Sequence, residues 1–205
     1  MKPILMNFPM PITTNRLIMR PPEIGDGIKL NEAVLETYDK LKLTMPWAKQ
    51  KPTIDDSEEF VRQAAANWIL KNNDEPYLPL FIFDREKEIF LGATGYHHMN
   101  WDIPALETGY WLRTSYQKKG IMTEAINAIT YYAFIELKVK RLEIRCDITN
   151  DDSRRIAERL GYLLESKLKG NRLNVTTGQI SDTLIYVRHN ATALPQLSIG
   201  WKESN

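Results

Sequence analysis

Residues 110–129, YWLRTSYQKKGIMTEAINAI, constrain the chain more than any other stretch. An aromatic, strand-like run gives way to a helix through a short basic turn holding a single glycine. From Met122 the apolar residues recur at steps of three and four, through Ile126, Ile129, Ala133 and Leu137. That is one helical stripe, and it must lie against a core. A helix start carries N–H groups without partners and a partial positive charge, so it can hold an anion. Gly120 would let a ligand approach the backbone closely, and Lys118 and Lys119 add positive charge. A glycine turn with solvated lysines satisfies the same letters, and the turn alone leaves both readings open.

Around this unit the chain reads as alternating element types. RLIMR (16–20) is a first strand, ended by Pro21 and Pro22. GDGIKLNEAVLETYDKLKL and EEFVRQAAANWILKN are helices, the second preceded by acidic residues that suit a helix start. LPLFIFDREKEIFLGATGYHHM gives two strands around a charged turn, and ALETGYWL a third. VKRLEIRCDI alternates through Leu142, Ile144 and Cys146, which is a strand. SRRIAERLGY is a short helix with Gly161 as its left-handed cap. Strands near 163–168 and 183–188 follow, and the last residues, LPQLSIGWKESN, read as a loose tail or as one packed through Trp201. The order predicts a mixed α/β sheet with helices on both faces, not a regular doubly wound nucleotide fold. We expect an arm at 1–13, one domain at 14–190 and a tail at 191–205.

The 205 residues suffice for one sizeable core, and a net charge of +1 gives no reason to expect a nucleic-acid partner. No apolar run is long enough for a membrane span, and the proline-broken N-terminus lacks the apolar stretch of a signal peptide. The lone Cys146 excludes an intrachain disulfide and fits a reducing, cytoplasmic setting. It alternates with Leu142 and Ile144, which makes it a buried thiol rather than a nucleophile. Neither G-x-x-x-x-G-K-[ST] nor a helix-opening G-x-G-x-x-G is present, which disfavours a nucleotide hydrolase or a dinucleotide dehydrogenase. No spacing of His, Cys, Asp and Glu suggests a metal site.

Taken together, TNRLIMR at 14–20, GYWL at 109–112, QKKGIMTEA at 117–125 and NDDSRRIAERLGY at 150–162 resemble the GNAT superfamily of acetyl-CoA-dependent N-acetyltransferases. The likeness is greatest to its ribosomal-protein N-terminal (serine/alanine) branch. It implies a GNAT fold: a mixed, mostly antiparallel sheet of about six to seven strands, helices on both faces, and a parallel splayed strand pair holding the cofactor. It also implies acetyl-CoA as co-substrate, without a metal. By the same resemblance Gln117, Lys118, Lys119, Gly120, Ile121, Met122 and Thr123 cradle the pyrophosphate. Leu112 and Arg113 pair with the pantetheine arm, Asn150 meets its amides or the region near the sulfur, and Ser153 and Arg154 lie beside the arm and the nucleotide end. Asn150 and Ser153 equally suit a helix start.

The acceptor implied is a primary amine, with the α-amine of a protein N-terminus first. A small-molecule amine is the second reading, and a non-catalytic acyl-CoA-binding module the third. Monomer and homodimer are both open. An α-amine has a pKa of about 8 and must lose a proton to attack. Glu107, on the strand entering the cradle, is the candidate base, and a solvent-facing glutamate is its alternative. Many superfamily members carry an acid tyrosine seven residues after the asparagine; here that position is Ala157. Ser153 is then the candidate acid, and free thiolate departure the alternative. Candidate acceptor contacts are Trp47, Tyr96, His97 and Asp182. Neighbours on a strand face opposite ways, so at most one of His97 and His98 points inward. Trp47, Trp68 and Trp101 wall a groove or fill the core. Asp182 orients an amine or holds a turn.

Overall fold

The computed structural model describes residues 2–71 and 77–202. These residues form nine strands and four α-helices. In chain order they are β1 (Ile12–Thr13), β2 (Leu17–Arg20), α1 (Gly27–Thr44), α2 (Ile54–Leu70), β3 (Leu78–Asp84), β4 (Phe90–Asn100) and β5 (Ala105–Leu112). Then come α3 (Ile121–Ile135), β6 (Arg141–Asp147), α4 (Asp151–Arg159), β7 (Leu163–Leu173), β8 (Ile180–Arg188) and β9 (Gly200–Trp201). One sheet runs β7-β8-β6-β5-β4-β3-β2-β1-β9. Every neighbouring pair is antiparallel except β5 and β6.

Helices cover both faces, so the sheet carries two apolar clusters. On one face α3 buries Ala125, Ile126, Ile129, Tyr132 and Ala133 against Leu80, Ile82, Leu106, Leu142 and Ile144. On the other, Leu30, Ala33, Val34 and Leu41 of α1 and Val61 of α2 meet Phe81, Phe83, Phe90 and Ala93. A strand covered on both faces reads as an unbroken apolar run, and Leu78–Phe83 is buried throughout. Strand alternation therefore decides function on β5. Leu106, Thr108 and Leu112 are buried on the α3 side, while Glu107 and Trp111 look toward α1 and α2.

Three sequence expectations change. The sheet has nine strands, not six or seven, because the two-residue β1 and β9 extend one edge. The tail is not loose. Gly200–Trp201 pairs with β1, Trp201 packs edge-on to Tyr132, and Asn127 donates to the Pro195 carbonyl at 2.8 Å. Helix α2 begins earlier, at Ile54, because Thr53 and Asp56 form a reciprocal capping box.

Gly95 of β4 has φ +149°, and a Cβ there would lie 2.4 Å from the Leu78 carbonyl oxygen and 2.7 Å from Pro79 Cα. Both atoms are backbone of the neighbouring strand, so relief requires moving β3 away from β4. Gly95→Ala should destabilise the protein by about 3 kcal/mol or more, read as a lowered urea midpoint at unchanged m-value.

Candidate active site

Strands β5 and β6 pair only through Ala105↔Arg141, Leu106↔Leu142 and Glu107↔Glu143. Beyond Glu107 the two strands diverge. The far half of β5 keeps its partner β4 and the far half of β6 keeps β8. The result is a V-shaped opening in the middle of the sheet. Its closed end is Glu107, and its arms lead to the start of α3 and the start of α4.

The turn at the end of β5 is wound tightly. Residues Thr114–Tyr116 make one 3-10 turn, and Lys118 (φ +61°) and Gly120 (φ +74°) are left-handed. Such a conformation is easy for glycine and strained for lysine. The first backbone bond of α3 runs from Glu124 N–H to the Gly120 carbonyl at 3.0 Å. The N–H groups of Ile121, Met122 and Thr123 therefore precede the helical ladder and face the turn. The Met122 side chain is buried in the α3 core, so its bulk stays out of the turn.

This turn is clamped from two sides. Arg16 Nε donates to Glu124 Oε2 at 2.7 Å, and its Nη1 donates to the Lys119 carbonyl at 3.2 Å. Thr14 Oγ1 donates to Glu124 Oε1 at 2.6 Å. From α1, Glu36 accepts from Ser115 N–H at 2.9 Å and pairs with Arg113, while Thr37 Oγ1 accepts from Thr114 N–H at 3.1 Å. Burial raises the Glu36 carboxyl, but Arg113 and Ser115 outweigh it and hold the pKa low. Gln117 donates to the Leu112 carbonyl and accepts from Lys40.

Glu107 is mostly buried at the closed end of the V. Burial pushes its pKa above the ordinary carboxylate range, and Arg145, at 3.3 Å, pulls it part of the way back. His97 is its cross-strand partner, with Nε2 at 3.6 Å from Glu107 Oε1. Burial drives the His97 pKa down to about 4, so the ring is neutral at pH 7 and the contact is not an ion pair. His97 Nε2 is enclosed without a hydrogen-bond partner among the described residues. His98, at a bulge with φ +48°, is exposed.

On the other arm, Asn150 caps α4, its side chain accepting from Ser153 N–H at 3.1 Å. Ser153 Oγ lies 2.9 Å from the Tyr110 hydroxyl, which reaches it from β5. Arg154 pairs with Asp151 at 2.9 Å within α4. Cys146 is buried, and burial pushes its thiol pKa up.

The structure separates the four expected acceptor contacts. Trp47 is half exposed, 6.4 Å from Trp111 on the Glu107 side, and His97 touches Glu107. Tyr96 is a correction. It is fully buried on the α3 face with its hydroxyl donated to the Ile129 carbonyl at 2.7 Å, so it offers no surface to a substrate. Asp182 alternates with Leu184 and Tyr186 on the α3 face, pairs with Lys167 at 2.9 Å and accepts from Gly170 N–H. It holds the bulge of the β7–β8 hairpin. Trp68 is in the core, donating to the Pro79 carbonyl at 2.7 Å, and Trp101 packs on Phe8.

A split parallel pair ending at a clamped helix start can be compared with known proteins. The family described as acetyltransferase (GNAT) domain matches residues 16–163. The chain belongs to the GNAT acetyltransferase family. It is 28% identical over 135 residues to the ribosomal-protein-serine acetyltransferase of Escherichia coli (strain K12), covering 64% of this chain and 74% of that one. Among solved structures it superposes with TM-score 0.76 and 25% identity on the microcin C7 self-immunity acetyltransferase MccE, described in complex with acetyl-CoA and AMP. That match covers 85% of this chain and 93% of MccE. The ribosomal L7/L12 α-N-protein acetyltransferase RimL, in complex with coenzyme A, shares the fold at TM-score 0.76 and 21% identity, with 87% and 96% covered. This GNAT enzyme is an acetyl-CoA-dependent N-acetyltransferase. The turn fits its co-substrate: free N–H groups, an exposed glycine and two lysines suit a diphosphate.

Glu124 puts a negative charge in the first turn of α3, beside that anion site, and Arg16 is its counter-ion. Arg16→Ala should weaken coenzyme A binding by about three- to tenfold in calorimetry, with the loss shrinking as salt rises.

Proposed function

We propose that this GNAT enzyme acetylates the α-amine of a protein N-terminus by direct attack on acetyl-CoA in a ternary complex, in a cytoplasmic setting. The observation that carries the reading is the V between β5 and β6, which joins an anion-holding helix start to a buried carboxylate within one opening. The relative from Escherichia coli, named as a ribosomal-protein-serine acetyltransferase, supports the choice of acceptor.

In this reading the α3 N–H groups of residues 121–123 take the pyrophosphate, helped by Lys118 and Lys119. The unpaired edge of β5 from Thr108 to Leu112 receives the amide-bearing arm as an added strand, with Asn150 across the V. This directs the thioester toward Glu107. The acceptor enters from the α1–α2 side, between the Trp47 loop and the β7–β8 hairpin. The hairpin tip reaches that loop region, with Thr176 Oγ1 donating to the Leu43 carbonyl at 2.9 Å. The neutral amine attacks the thioester carbon, and its proton passes to Glu107, directly or through a water. The C–S bond then breaks with its electron pair on sulfur. A raised Glu107 pKa narrows the gap to an amine of pKa about 8, which is what a general base requires. His97, held neutral by burial, lines the amine's path without repelling it.

A small-molecule amine is the second reading, favoured by the likeness to MccE. The test is release of free thiol from acetyl-CoA with peptides beginning in serine or alanine and with a panel of small amines, the acetyl group being located by mass spectrometry. Faster turnover of peptides, acetylated on the α-nitrogen, supports the proposal. Turnover of small amines alone supports the second reading. Tight coenzyme A binding with no thiol released leaves a binding module.

The pH dependence tests the base. Below the amine pKa, log kcat/KM falls with unit slope as pH drops; below the Glu107 pKa it falls with a slope of two. Because that pKa is raised, the second break should lie above the ordinary carboxylate range. Glu107→Gln should abolish the break and lower the rate by about 100-fold or more. Arg145→Gln removes the cation that lowers Glu107 and should move the break to higher pH.

A further inference from the structure

Tyr110 lies on the part of β5 that has left β6, and its ring is on the α3 side with Thr108 and Leu112. From there its hydroxyl crosses the V to the first turn of α4. It stands 2.9 Å from Ser153 Oγ and 3.2 Å from the Ser153 carbonyl oxygen. Ser153 is thus held twice: its N–H by the Asn150 side chain, and its hydroxyl by Tyr110. The group one helical turn beyond is Ala157, which is fully buried and has no proton to give. Cys146 flanks Ser153. Burial pushes both its thiol and the Tyr110 phenol to high pKa, so both keep their protons at pH 7.

Counting protons gives Tyr110 a role. The phenol has one hydrogen and the serine hydroxyl has one. With the phenol hydrogen on the Ser153 carbonyl, the serine hydrogen turns back to the phenol oxygen and points away from the opening. With the phenol hydrogen on Ser153 Oγ, the serine hydrogen is released to point elsewhere, into the V. We propose that Tyr110 is a positioning residue that directs the Ser153 O–H toward the sulfur of departing coenzyme A. This rests on the acetyl-transfer reading above. As the amine nitrogen bonds to the carbonyl carbon and the C–S bond breaks, the electron pair goes to sulfur. Ser153 donates a hydrogen bond to that thiolate, and the amine proton goes to Glu107. Tyr110 keeps its own proton throughout and stabilises the arrangement by donating to Ser153 Oγ.

The test is a cycle of Tyr110→Phe, Ser153→Ala and the double variant in full-length enzyme, with acetyl-CoA and whichever amine the wild type turns over. Tyr110→Phe should lower kcat by about tenfold, leave the KM for acetyl-CoA within about twofold, and leave the melting temperature nearly unchanged. In the Ser153→Ala background the same change should have almost no effect on kcat, because Tyr110 acts only through that hydroxyl. A Tyr110→Phe penalty undiminished in the Ser153→Ala background would overturn the inference. So would unchanged kcat in Tyr110→Phe, or a loss confined to KM and melting temperature. These outcomes leave acetyl transfer itself standing. A wild-type enzyme that binds coenzyme A and releases no thiol with any amine overturns both.

Discussion

The parting of β5 from β6 after Glu107 is the constraint on which the rest depends. In an ordinary sheet every interior strand has two partners, because unpaired backbone groups away from water are costly. Here β5 keeps β4 and β6 keeps β8, yet beyond the Glu107↔Glu143 pair they no longer bond to each other. An edge therefore opens in the middle of a nine-stranded sheet. It is not left to collapse. Tyr110 bridges from one arm to α4 on the other, and α3 and its core lie beneath both arms. The opening favours a ligand with peptide-like amides, which satisfies the exposed edge as a strand would.

The helix at the end of the split must be as well fixed as the strands. Free N–H groups bind an anion well only when their directions are set beforehand, since ordering them at binding costs entropy. The Arg16–Glu124 pair and the Glu36 contacts do this setting from opposite sides. Their charges nearly cancel: Arg16 faces Glu124, and Arg113 faces Glu36. Lys118 and Lys119 are both exposed, and Lys119 Nζ donates to the Ser115 carbonyl at 2.8 Å. The strain of a left-handed Lys118 is tolerable because the surrounding contacts determine the turn.

Much of this was readable from letters, and the reasons differ by element. The α3 stripe was legible because a 3.6-residue period is local. So was Gly161, whose φ of +70° fits the left-handed cap expected of it. Tyr96 and His97 are not told apart by sequence, because period two says that neighbours face apart without saying which faces in. Only the position of α3 decides that Tyr96 is core and His97 is not. Asp182 depended on bulges in β7 between Leu168 and Arg172, which no residue type announces. The Arg16–Glu124 clamp joins residues 108 apart, so both lay inside recognised motifs while their contact stayed invisible. β9 rests on a two-residue pairing, and a proline-containing tail carries no periodic signal that short.

Electrostatics on the Glu107 side follows from the same split. Two acids, Glu107 and Glu143, are cross-strand neighbours at the last paired step, and adjacent like charges would push the strands apart. Arg145 answers both, at 3.3 Å from Glu107 and 2.8 Å from Glu143, and Arg141 takes a second hold on Glu143 at 2.6 Å. Glu143 is thus bound by two cations, while Glu107 has only the longer contact to one, and burial raises its pKa. The pair is divided by unequal counter-charge. One carboxylate is held by two cations, and the other, at the apex of the V, carries the raised pKa.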